Sequence, residues 1–85
     1  MIAEADVKVE VRLFGRYREL APGASIALEL PAGATVGDLV SALHRRAPGR
    51  LPERPVVAVD RRPADDDLAL NAGHEIALIP PVAGG

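Results

Sequence analysis

Residues 7 to 14 alternate without a break. Val7, Val9, Val11 and Leu13 fall on one side, and Lys8, Glu10, Arg12 and Phe14 on the other. A period of two with β-branched residues predicts a half-buried strand. Phe14 is the odd member, a large apolar side chain on the otherwise charged face. Gly15 breaks the strand, Arg16 to Leu20 has room for one helical turn, and Pro22-Gly23 bends the chain. Ser25 to Leu30 alternates again with Ile26, Leu28 and Leu30 inward, so the two strands are expected to pair antiparallel.

The pattern then changes period. After the turn Pro31-Ala32-Gly33, the apolar residues Val36, Leu39, Val40, Leu43 and Ala47 recur at helical spacing and form one face. Thr35-Val36-Gly37-Asp38 resembles a capping box with Asp in place of the usual Glu or Gln. Asp38 in the first turn and His44, Arg45 and Arg46 in the last complement the helix dipole. Pro48-Gly49 ends the helix.

Beyond a polar loop, Val56-Val57-Ala58-Val59 is a short apolar run that suits a central strand covered on one face. Asp60 to Pro63 reads as a turn, and Leu68 and Leu70 as apolar anchors after the acidic run Asp65-Asp66-Asp67. Asn71-Ala72-Gly73 is a further turn, and His74 to Ile79 the last strand, with Ile76 and Leu78 on one face and Ala77 and Ile79 on the other. One amphipathic helix among four strands must lie across one face of a mixed sheet to bury its apolar side. The expected fold class is α+β, a β-grasp (ubiquitin-like) roll. The expected organisation is a loose lead-in over 1–6, one domain over 7–79 and an extended tail over 80–85.

Composition narrows the function. At 85 residues the chain makes one small domain, and one Phe, one Tyr and no Trp leave an aliphatic core. The absence of cysteine excludes disulfides, thiolate metal sites and a cysteine nucleophile, so any sulfur the protein handles must ride elsewhere than on a side-chain thiol. A net charge of -2 gives no electrostatic footprint for nucleic acid or membrane. No apolar run reaches transmembrane length, and Met1 to Asp6 lacks the features of a signal peptide, so the expectation is a cytoplasmic protein.

No internal active site is expected. His44 and His74 lack a ligand pattern for a metal, and Asp65 to Asp67 lacks the alternation and distal Glu of a calcium loop. There is no nucleophile–base motif and no glycine-rich phosphate loop. Phe14 and Ile79 both lie opposite the core-facing residues, and Ala77 shares the face of Ile79. If the first and last strands are neighbours, these residues form an exposed apolar patch that suits partner docking. Two ordinary surface hydrophobics are the plainer alternative.

The last strand feeds into Pro80-Pro81-Val82-Ala83-Gly84-Gly85. Two prolines stiffen the exit, and two glycines fit a channel too narrow for a side chain. Six residues extended reach roughly 20 Å. That suits a terminal carboxylate delivered into another protein's active site; a frayed terminus is the alternative.

Three stretches carry a family resemblance: Leu13-Phe14-Gly15-Arg16-Tyr17-Arg18-Glu19-Leu20, Ala34-Thr35-Val36-Gly37-Asp38-Leu39, and Ile76 through Gly85. Together they resemble the MoaD/ThiS family of ubiquitin-like sulfur carriers, and within it the MoaD branch, the small subunits of molybdopterin synthase. The resemblance implies that the Gly85 carboxylate is adenylated by a MoeB-like enzyme, using ATP that the carrier itself does not hold, and is then converted to a thiocarboxylate with a sulfur-donor enzyme. It implies that a MoaE-like large subunit receives the tail and that sulfur passes to cyclic pyranopterin monophosphate. Gly84 would thread the narrow passage. Phe14, Ala77, Ile79, Pro80, Pro81, Val82 and Ala83 would contact the partner. The chain would then not be an enzyme on its own but the sulfur-donating subunit of a sulfurtransferase complex. A carrier for thiazole, cysteine or another thio-metabolite, or a protein modifier joined through Gly85, would use the same tail.

Overall fold

The computed structural model describes residues 6–80 and places the first alternating run in strand β1 (Val7–Leu13). Val9, Val11 and Leu13 are buried, and Lys8, Glu10 and Arg12 are exposed. Strand β2 (Ser25–Leu30) pairs antiparallel with β1, Val11 opposite Ile26 and Val9 opposite Leu28, so the two apolar sets share one face. Between them lie two 3₁₀ turns, Gly15–Leu20 and Pro22–Ala24.

Helix α1 (Val36–Arg46) begins with the expected capping box. The Asp38 N–H donates to Thr35 Oγ1 at 3.3 Å, and the Thr35 N–H donates to Asp38 Oδ2 at 2.9 Å. Aspartate thus serves where a longer glutamate is usual. Two further helix-start N–H groups are met by the loop that crosses above them. Val36 donates to the Leu68 carbonyl at 2.9 Å, and Gly37 to the Asp66 carbonyl at 2.8 Å. The acidic run therefore has a backbone role, covering donors that an isolated helix leaves unpaired. Leu70 is buried as expected, but Leu68 is 40% exposed and anchors through its carbonyl, not its side chain.

Strand β3 (Val56–Val59) is followed by a two-residue strand β4 (Arg62–Pro63), where a turn was expected throughout. Asp60 and Arg61 alone make the turn, with φ of 53° and 71°. Positive φ at both central residues is the geometry of the hairpin turn that matches strand twist. Strand β5 (Ile76–Ile79) is two residues shorter than the expected His74–Ile79. His74 and Glu75 belong to the preceding bend, held by the His74 N–H to the Asn71 carbonyl at 3.1 Å and by the Glu75 N–H to Asp60 Oδ1 at 2.9 Å.

The sheet order is β2-β1-β5-β3-β4, with β5 parallel to β1 and antiparallel to β3. A hairpin, a helix and a last strand inserted in the middle of the sheet make a β-grasp roll. Val36, Leu39 and Leu43 of α1 are buried in one cluster with the inward residues of β1, β2, β3 and β5. Among the described residues the helix covers one face of the sheet, and the other face is open.

Tyr17 also belongs to this core. It is 2% exposed, and its hydroxyl has no hydrogen-bond partner among the described residues. Burying an unpaired hydroxyl costs about 1–3 kcal/mol. Tyr17→Phe is therefore expected to leave stability unchanged or raise it by about 1 kcal/mol. Urea unfolding checks this; a comparable loss would mean that the hydroxyl is satisfied, for instance by a buried water.

Candidate functional site

The open face of the sheet is organised by register. Leu13 pairs with Leu78, and Leu78 with Val57, and all three point to the core. One residue further along each strand, side chains turn to the opposite face. Ile79 stands opposite Val56, Ala77 opposite Ala58, and Ala58 opposite Pro63. Phe14, directly after β1, joins them.

The result is an apolar hollow of about 420 Å³ lined by Phe14, Val56, Ala58, Pro63, Ala77 and Ile79. Its shape follows from residue size. Ala58 and Ala77 are small and make the floor; Phe14, Val56 and Ile79 are large and make walls. Phe14 is 44% and Val56 47% exposed, so two of the three large exposed hydrophobics among the described residues stand in this one hollow. Arg61 and Glu75 rim it and approach each other at 3.8 Å. Both side chains are solvated, so the pair adds little stability and remains available to a partner's charges.

The expected neighbourhood of Phe14, Ala77 and Ile79 is therefore present. Val56, Ala58, Pro63 and the rim charges are additions. The signal for them lay in the run Val56 to Val59: once Val57 and Val59 face the core, Val56 and Ala58 must face outward. Pro80 is half-buried where β5 releases the chain, against Gly15, the residue after Phe14. The expected partner contacts Pro81, Val82 and Ala83 and the expected reactive end, Gly84 and Gly85, lie outside the described residues.

The two histidines are occupied locally. His44 Nε2 lies 3.2 Å from the Glu53 carbonyl, and His74 Nδ1 accepts from the Asn71 N–H at 3.2 Å. Among the described residues, no three acidic, imidazole or thiol side chains gather as a metal site would require. No helix among them is long and apolar enough to cross a membrane.

The ThiS family profile matches residues 11–85, nearly the whole chain. The chain belongs to the ThiS family. This ThiS-family chain is 30% identical over 83 residues to the molybdopterin synthase sulfur carrier subunit of Arabidopsis thaliana, covering 95% of this chain and 86% of that one. Its fold is similar to a putative molybdopterin converting factor subunit 1 from Pyrococcus furiosus, with TM-score 0.74 and 32% identity over 89% of this chain and 99% of that one. It is also similar to small archaeal modifier protein 1 of Haloferax volcanii, with TM-score 0.73, 30% identity and 89% and 99% of the two chains covered. Subunits 1 and 2 of molybdopterin-converting factor from Helicobacter pylori 26695 have been solved together. The similarity to that structure, at 24% identity and TM-score 0.64 over 93% of this chain and 100% of that one, is one of fold.

Proposed function

We propose that this ThiS-family chain is a sulfur carrier of molybdopterin synthesis, working in the cytoplasm as the small subunit of molybdopterin synthase. The observation that carries the reading is the apolar hollow beside the point where β5 releases Pro80. A docking surface next to a proline-stiffened exit suits a protein that binds a partner and delivers its tail into the partner's site. The similarity to the A. thaliana carrier subunit supports this choice of pathway.

In this reading Gly85 carries the reacting carboxylate. A free carboxylate is a poor electrophile. One of its oxygens attacks the α-phosphorus of ATP in a separate MoeB-like adenylating enzyme, and pyrophosphate leaves. Sulfur from a donor system, at the level of sulfide, then attacks the acyl carbon and AMP leaves. The product is a thiocarboxylate. In a MoaE-like large subunit, docked on the hollow of Phe14, Ala77 and Ile79, that thiocarboxylate gives its sulfur to cyclic pyranopterin monophosphate. Gly84 has no side chain to obstruct a narrow passage. Pro80 and Pro81 limit the entropy lost when the tail orders. The chain's own residues dock and deliver; the chemistry of activation and transfer belongs to its partners.

Deleting Gly85 tests the tail directly. ATP-dependent pyrophosphate release with the adenylating enzyme is expected to fall to background, while the urea midpoint stays where it was. Activation that survives the deletion contradicts the proposal.

A second reading is favoured by the similarity to the H. volcanii modifier protein. The same acyl-adenylate, attacked by a lysine amine instead of sulfur, would join Gly85 to another protein through an isopeptide bond. Mass spectrometry of proteins from cells expressing the chain distinguishes the two: Gly-Gly remnants on lysines support the modifier, and a thiocarboxylate without such remnants supports the carrier.

A further inference from the structure

Strands β1 and β5 run parallel and leave the sheet at the same end, so their register extends past Leu13–Leu78 to bring Gly15 level with Pro80. The two residues are in contact. A Cβ built on Gly15 would lie 2.7 Å from Pro80 Cγ and 3.7 Å from both Pro80 Cβ and Cδ. Carbon atoms pack at roughly 3.5–4.0 Å, so a methyl group at Gly15 would require Pro80 to retreat by about 1 Å. A flexible side chain would rotate away. Cγ of a proline moves only by ring pucker, which yields part of that distance; the ring is fused to the backbone, so the rest must come from the backbone of the exit.

The turn that carries Gly15 is held from several sides. The Tyr17 N–H donates to the Phe14 carbonyl at 3.0 Å, the Arg18 Nε–H donates to the Gly15 carbonyl at 3.3 Å, and the Tyr17 ring is buried in the core. The seat is thus built into the domain, and it adjoins Phe14, a wall of the docking hollow.

We propose that Gly15 is a positioning residue for the tail: its bare Cα is the seat of the Pro80 ring and sets the direction in which the chain leaves the domain relative to the docking hollow. The inference rests on the carrier reading, since direction matters only if the tail is delivered. Docking through the hollow fixes where the domain sits on a partner. The Gly15–Pro80 seat then fixes where the terminal carboxylate arrives. A misplacement of about 1 Å at a reacting group lowers turnover by up to on the order of a hundredfold. Binding through the hollow is unaffected, so the loss falls on kcat and not on KM.

Gly15 also has φ of +57°, a conformation that favours glycine whatever its neighbours. A double-mutant cycle separates the two effects, because backbone strain is the same whichever residue stands at 80. Pyrophosphate release is measured with the full chain, ATP, sulfide to turn the acyl-adenylate over, and an adenylating enzyme that activates a control ThiS-family carrier, for wild type, Gly15→Ala, Pro80→Ala and the double variant. Folded fractions are matched by urea unfolding. Gly15→Ala is expected to lower kcat roughly tenfold or more in the wild-type background, with KM within about twofold. In the Pro80→Ala background, where the ring is gone, the same substitution is expected to cost less than about twofold.

An equal cost in both backgrounds overturns the inference and leaves Gly15 as a turn residue only. So does a loss that appears wholly in KM. If Gly15→Ala fails to fold, Pro80→Ala is compared with Pro81→Ala, which removes a proline's stiffness but leaves the ring against Gly15: Pro80→Ala should lose clearly more kcat than Pro81→Ala, and an equal loss or wild-type kcat overturns the inference. Failure of the wild-type chain itself, with the control carrier active, overturns the carrier reading and this inference with it.

Discussion

Phe14→Glu combined with Ile79→Glu is expected to abolish complex formation with a large subunit while the domain remains folded. Phe14 and Ile79 are walls of the same apolar hollow, and both point away from the core. Interface energy concentrates in a few buried apolar anchors, each worth about 2 kcal/mol or more. Losing two such anchors weakens binding by roughly a thousandfold, before any cost of drying the new carboxylates. The neighbouring Glu75 would add like-charge repulsion. The fold should tolerate the change. Phe14 is already 44% exposed, and Ile79 is half-buried, so glutamate there loses strand preference and part of a side chain's burial, together about 1–2 kcal/mol. Titration calorimetry for affinity, with urea unfolding alongside, reads both quantities. Undiminished affinity in a folded double variant would remove the hollow from the docking account.

Leu78→Ala is expected to have the largest effect on stability. Leu78 is fully buried in β5, with Leu13 of β1 on one side and Val57 of β3 on the other. It therefore joins both halves of the sheet. Removing a leucine side chain from such a site costs about 2–5 kcal/mol, the upper part of the range applying where the surroundings do not collapse. A domain of this size has roughly 4–13 kcal/mol to lose. The urea midpoint should fall in proportion, with the slope unchanged. A loss below about 1 kcal/mol would mean that the site is looser than the register implies.

The parts of this protein that were readable from its sequence are those in which local pattern and tertiary environment agree. The alternation of β1 and β2 became buried and exposed faces because one side of the sheet is covered and the other is not. The Thr35–Asp38 cap was readable because both partners lie within one turn of chain. β4 was not readable: a two-residue strand carries no period, and the Asp60-Arg61 turn lacks the glycine that marks such hairpins. Asp60 compensates with a side-chain bond to the Glu75 N–H, a partner fifteen residues away. Leu68 misled because its apolar side chain suggested an anchor, whereas the backbone beside it holds the helix start.

The site followed the same division. Phe14 and Ile79 stood out because each breaks or closes a pattern within its own strand. Val56 and Ala58 did not, because an all-apolar run hides which side faces out. The contact between Gly15 and Pro80 joins residues from opposite ends of the chain, and only the parallel register of β1 and β5 brings them together.

The most direct test of the carrier reading is the intact mass of the protein after incubation with ATP, a MoeB-like adenylating enzyme and sulfide. The expected result is a gain equal to one oxygen replaced by one sulfur, absent without ATP and absent when Gly85 is deleted. An unchanged mass, under conditions in which a control ThiS-family carrier gains sulfur, would contradict it.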